Sequence, residues 1–234
     1  MVRFLLSTFA FALMMLSCHH KSSIMSPPEP EVSANRYTYL ALGDSYTIGE
    51  SVSNEERYPV LLSKQLQTAG VPIAEPVIIA TTGWSTGDLQ AGIERRNLQD
   101  TFSMVSLLIG VNNQYRNLDF ETYKKQFSEL LNQAVAFAGG RKERVFVVSI
   151  PDYSVTPFAA GRNTAQIAQE IDAYNAANAA ITRAAGIVYF DITPISRQAP
   201  DDPALIASDG LHPSGKMYRA WADLMFPTVR GFFP

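Results

Sequence analysis

Residues 43–45 read Gly-Asp-Ser, at the point where an apolar run ending at Leu42 gives way to a polar, glycine-containing stretch. A serine presented on a tight turn after such a run can act as a nucleophile, provided a base takes its proton. Of the three histidines, His19 and His20 lie beside Cys18 near the start of the chain, which leaves His212 to serve a folded domain. His212 stands in SDGLHPSG (208–215), with Asp209 three residues before it. A carboxylate that close along a short loop can reach the imidazole, fix its tautomer and stabilise the imidazolium formed as serine is deprotonated. The chemistry open to such a set is acyl transfer, which also needs donors aimed at a developing oxyanion. Gly83 lacks a side chain, so its N–H can approach a substrate closely, and Asn112 in GVNN (110–113) offers a side-chain amide. The backbone N–H of Ser45 completes a three-donor set. Singly, each of these residue types is ordinary turn chemistry.

The elements that must position them alternate along the chain. Short apolar runs at 37–42, 76–83, 104–110, 144–150 and 187–192 read as strands. Between them, helical spacing appears at 58–70, 86–96, 119–140 and 164–186, and a last helix over 214–233 is expected to be interrupted near Pro227. Strands that are nearly continuous apolar runs, separated by helices, predict a parallel sheet covered on both faces. The expectation is a three-layer α/β/α domain with a five-stranded parallel sheet and reactive groups at the carboxyl ends of the strands. Ser45, Gly83, Asn112 and the Asp209/His212 pair fall at successive strand ends. Tyr46, Trp84, Tyr115 and Tyr153 also follow strand ends and could wall an acyl or alcohol pocket.

Taken together, Gly-Asp-Ser with Ser45, Gly83, G-x-N with Asn112, and D-x-x-H with Asp209 and His212 resemble the four blocks of the SGNH hydrolases, also called GDSL esterases and lipases. The resemblance spans residues 37 to about 230. It implies a flavodoxin-like sheet and a serine esterase without a cofactor, in which Ser45 attacks, His212 is base then acid, and Asp209 orients it. Ser45, Gly83 and Asn112 would form the oxyanion hole. Tyr46 replaces the leucine of the GDSL signature, and Asn113 stands where that family often has aspartate. The implied substrates are small-molecule or carbohydrate esters. The chain shows no long apolar lid segment, which favours short acyl groups such as acetyl over long-chain lipid. Lysophospholipid or acyl-thioester cleavage would use the same triad.

Three other readings compete. GWSTG (83–87) matches the G-x-S-x-G elbow of α/β-hydrolases, which would make Ser85 the nucleophile. Too few strands precede it, and no glycine-rich oxyanion loop lies upstream. A lipid-anchored glycan-binding module would have no need of a base aligned on a serine. A metal-dependent hydrolase would need more ligands than one domain histidine and no Cys pair provide.

Composition is consistent with a single domain: 234 residues, 47% hydrophobic and 18% charged, with net charge −3. That charge balance offers nucleic acid no basic footprint. Arg3, an apolar run over 4–16 and Ser17-Cys18 have the layout of an export signal. Cys18, the only cysteine, resembles the lipidated residue of bacterial lipoproteins, with Met15 and Leu16 where leucine and a small residue are usual. Residues 19–35, rich in Ser, Pro and Glu from residue 21 on, read as a flexible tether, and residues 36–234 as the hydrolase domain. The expectation is an exported protein of the bacterial envelope, held at a membrane through lipid on Cys18.

Overall fold

The computed structural model describes residues 37–234. The expected export signal, the lipidated Cys18 and the tether lie outside the described residues.

In chain order the elements are β1 (Tyr39–Gly43), α1 (Ser45–Ile48), α2 (Tyr58–Thr68), β2 (Val77–Ala80), α3 (Thr86–Arg96), β3 (Met104–Leu108), α4 (Val111–Tyr115) and α5 (Phe120–Phe137). They continue with β4 (Val145–Val148), α6 (Thr164–Ala184), β5 (Val188–Phe190), α7 (Thr193–Ser196) and α8 (Gly215–Arg230). The five strands form one parallel sheet in the order β2-β1-β3-β4-β5. This is the flavodoxin-like order, with the switch point between β1 and β3.

Every residue of β1, β3 and β4 is buried, as their unbroken apolar sequences require of strands covered on both faces. The helices divide into two groups. One packs α2 against α8, burying Tyr58, Tyr218 and Trp221 together. The other sets α3 and α6 against α5, with Tyr123, Phe127 and Tyr174 between them. Rings of this size remove 150–250 Å² each from water, so these clusters supply much of the burial that holds the layers on the sheet. Register then fixes where the chain emerges: Gly43 pairs with both Ala80 and Leu108, so β1, β2 and β3 end level with one another.

Two features depart from the sequence expectation. The short helices α1, α4 and α7 occupy stretches to which the sequence reading assigns no helix, each too brief to show a hydrophobic period. Helix α8 also runs without a break through Pro227 to Arg230. Pro227 lies near the helix end with its ring exposed, so only the bond its missing N–H would have made to the Asp223 carbonyl is lost. Pro227→Ala should therefore restore that bond and raise the midpoint of a thermal melt. A gain of about 1–2 kcal/mol corresponds to several degrees in a domain of this size. An unchanged or lower midpoint would mean that proline's restriction of the unfolded chain outweighs the missing bond.

Candidate active site

At the end of β1 the chain turns directly into α1, and Ser45 is its first residue. Asp44 caps the turn: its Oδ1 accepts from the Tyr46 N–H at 3.0 Å, while Oδ2 has no partner among the described residues. Asp44 is wholly buried, and burial pushes its carboxyl up from 3.8 to about 7 against the pull of the Tyr46 and Asp44 N–H groups.

His212 reaches the same region from the loop before α8 and is also buried. Its Nδ1 lies 2.5 Å from Asp209 Oδ2. The second oxygen, Oδ1, accepts from the N–H groups of Leu211 at 2.9 Å and His212 at 3.0 Å. Oδ2 accepts in addition from the Ser51 hydroxyl at 2.8 Å. Partial burial opposes ionisation of Asp209, but the His212 ring, the two N–H groups and Ser51 outweigh it and hold the carboxyl well below its ordinary range. An ionised Asp209 requires the proton on Nδ1, which leaves Nε2 free as a base. Tyr46, itself buried, packs edge-on against the imidazole at 5.7 Å between centroids.

A cavity of about 160 Å³ opens between these elements. Ser45, Tyr46, Gly83, Asn112, Tyr115, Tyr153 and His212 all line it, and Asp209 stands behind His212. Gly83 has φ +85 with open space where a Cβ would be, so backbone conformation rather than crowding calls for glycine there. The Asn112 amide donates one of its hydrogens to the Trp84 carbonyl at 3.0 Å and keeps the other. Asn113 ties the same two loops together. Its Oδ1 accepts from the Thr86 N–H at 2.9 Å, and its Nδ2 donates to the Thr86 hydroxyl at 2.8 Å. The Thr86 hydroxyl in turn donates to Gln126. An aspartate at 113 could not make the second of these bonds, so the amide suits this chain's own neighbours. The Tyr153 hydroxyl donates to Gln114 at 2.9 Å, and Gln114 donates to Glu170, which fastens the cavity wall to α6.

One expectation is corrected. The Trp84 ring is not a wall of the cavity: it lies over Gly92, where a Cβ would come within 2.3 Å of it, and faces Arg95. Only its carbonyl serves the site. Ser85 is the cap of α3, its hydroxyl donating to Asp88 at 2.7 Å, and it takes no part in the cavity despite its G-x-S-x-G setting. Phe158, Val111, Thr82, Leu211 and Ser51 were missed. Phe158 shares the loop after β4 with Tyr153, and an aromatic after Pro157 was the available signal; the others carry none.

The sequence from residue 41 to 220 matches the model of the GDSL-like lipase/acylhydrolase family, and the chain belongs to that family of ester hydrolases. No curated protein matches it. Among solved structures it is similar to the acetyl xylan esterase AlAXEase, at 18% identity and TM-score 0.66, covering 82% of this chain and 99% of that one. Axe2, an acetylxylan esterase from Geobacillus stearothermophilus, matches at 18% identity and TM-score 0.65 over 82% and 94% of the two chains. The psychrotrophic esterase EstA from Pseudoalteromonas sp. matches at 16% and TM-score 0.60 over 84% and 98%. At these identities the likeness shows the SGNH hydrolase fold.

Asp44 generates a prediction about stability. Below its ordinary pKa it is protonated in both states; from there up to about pH 7 only the folded chain keeps the proton, so stability falls with rising pH across that window. Asp44→Asn removes this term. The variant should exceed the wild type by an amount on the order of 2–4 kcal/mol at pH 8, shrinking toward pH 4, as read from thermal melts. A difference that does not vary with pH would place the ionisation elsewhere.

Proposed function

We propose that this chain is a serine ester hydrolase acting on short acyl groups, with Ser45, His212 and Asp209 as its catalytic triad. The reading rests on one observation above the others: Asp209 is bonded to His212, and His212 shares a cavity with Ser45, Gly83 and Asn112. In the reaction, Ser45 Oγ attacks the ester carbonyl carbon as His212 Nε2 takes its proton. Asp209 holds the imidazole and balances the imidazolium. The N–H groups of Ser45 and Gly83 and the remaining Asn112 amide hydrogen receive the oxyanion. Collapse expels the alcohol, which takes the proton from His212, and water then releases the acid by the same steps in reverse.

Cavity size supports the short acyl group. An apolar cavity of about 150 Å³ holds one benzene molecule, and the space here is about 160 Å³, walled by Val111, Tyr115, Tyr153, Phe158 and Leu211. An acetyl or butyryl group fits within it, whereas a palmitoyl chain would have to leave it. Acetylated carbohydrate is a substrate of this kind, and the two structural neighbours above are acetyl xylan esterases.

Hydrolysis of p-nitrophenyl acetate tests the assignment. Ser45→Ala should reduce turnover by about 10³-fold or more, and Asp209→Asn by about 10²–10⁴-fold. Ser85→Ala should lose about 1 kcal/mol of stability, the worth of a helix cap, and retain turnover. Loss of activity confined to Ser85→Ala would overturn the site. On chain length, the acetate ester should be cleaved much faster than the palmitate ester; equal or reversed rates would sink the short-acyl reading.

A further inference from the structure

Beside the cavity, three aromatic rings form a cluster: Tyr115 lies 6.2 Å from Tyr153 and 6.0 Å from Phe158, and Tyr153 lies 6.3 Å from Phe158. All three line the cavity. An exposed cation packs against this cluster. Arg162 places its guanidinium 4.6 Å from the centre of the Phe158 ring and 5.3 Å from that of Tyr115. Its backbone is held in turn, with the Arg162 N–H donating to the Ala159 carbonyl at 3.0 Å. The Phe158 N–H donates to the Gly210 carbonyl at 2.9 Å, which joins this loop to the one bearing Asp209 and His212.

Stacking uses the face of a guanidinium and leaves the five N–H donors around its edge available. One of them makes a long contact, 3.4 Å, to the Tyr115 hydroxyl. Among the described residues Arg162 forms no ion pair, whereas Arg116, Arg197 and Lys216 each meet an aspartate. Carboxylates around the cavity are engaged elsewhere: Asp209 with His212, Glu50 with the Thr82 hydroxyl, and Glu170 with Gln114 and Gln166. The site thus holds a guanidinium with a free edge, stacked on two rings that line the cavity.

We infer that Arg162 sets substrate specificity by receiving a carboxylate carried on the alcohol part of the ester, such as an acidic sugar. This rests on the esterase reading above. The planar fork fits a carboxylate in two parallel hydrogen bonds.

The test compares 4-acetoxybenzoate with its methyl ester, which share acyl group and length and differ in charge. For each enzyme, the ratio of kcat/KM for the anionic to the neutral ester is measured. Arg162→Gln should lower that ratio by about fivefold, as expected of an exposed charge-assisted contact. Arg162→Lys should recover part of it, and added NaCl should lower the wild-type ratio and leave that of Arg162→Gln unmoved. If Arg162 only braces Tyr115 and Phe158, both substrates will slow together and the ratio will hold, which would overturn the inference while leaving the esterase intact. No cleavage of either ester by the wild type would overturn the esterase reading, and this inference with it.

Discussion

A Cβ at residue 43 would lie 2.1 Å from the Thr47 hydroxyl oxygen and 2.5 Å from the Leu108 carbonyl oxygen. Only glycine lets the chain leave β1 so sharply that α1 folds back against the end of that strand, beside the Leu108 carbonyl of β3. That close approach determines the rest of the cavity. It puts Ser45 at the first position of α1, with its N–H unclaimed by the helix and directed outward, as the first N–H groups of any helix are. It also brings α1 beside the end of β2, whose following loop contributes Gly83. Because β1, β2 and β3 end level, three loops meet around one space without any long insertion to bring them there.

The two aspartates flanking this turn illustrate how environment, rather than residue type, sets their behaviour. Asp209 sits part-exposed with four hydrogen-bond partners, and its carboxyl is held ionised. Asp44 is wholly buried with one side-chain oxygen unpartnered among the described residues, and its carboxyl is driven toward neutrality. Under the proposed mechanism, the negative charge that an imidazolium would need lies beside His212, and the carboxyl beside Ser45 does not compete for it until pH approaches 7. A second fully ionised carboxylate next to Ser45 would raise the cost of forming an oxyanion there.

Legibility from sequence followed the range of the interactions. Ser45, Gly83, Asn112 and the Asp209/His212 pair each lie a few residues beyond a strand or within one short loop, so strand-end position and spacing sufficed to find them. The parallel sheet and its two-sided cover followed from the same apolar runs, and its flavodoxin-like character from the family resemblance. Trp84 was misplaced because the direction of its ring depends on Gly92 being bare, a contact across a helix that no local pattern records. Phe158 and Arg162 belong to the tight turns at Tyr153–Val155 and Pro157–Ala159 and the loop beyond them, where hydrophobic periodicity does not apply. Ser51 and Asp209 are 158 positions apart, and only the folded chain brings them together.

Ser51 carries the tension between stability and function to a single residue. It has φ +65, a left-handed conformation that costs a non-glycine residue on the order of 1 kcal/mol. Glycine would relieve that cost, and asparagine would bear it more easily. Neither could place a hydroxyl at the same Asp209 oxygen that His212 uses. That oxygen has two lone pairs: with one directed at Nδ1 and the other occupied by Ser51, the carboxylate is held against rotation about its own bond. Two backbone N–H groups on the opposite oxygen complete the restraint. The loop that follows α1 thus reaches back to hold Asp209, and under the proposed triad the strain at residue 51 would fix the orientation of the His212 imidazole.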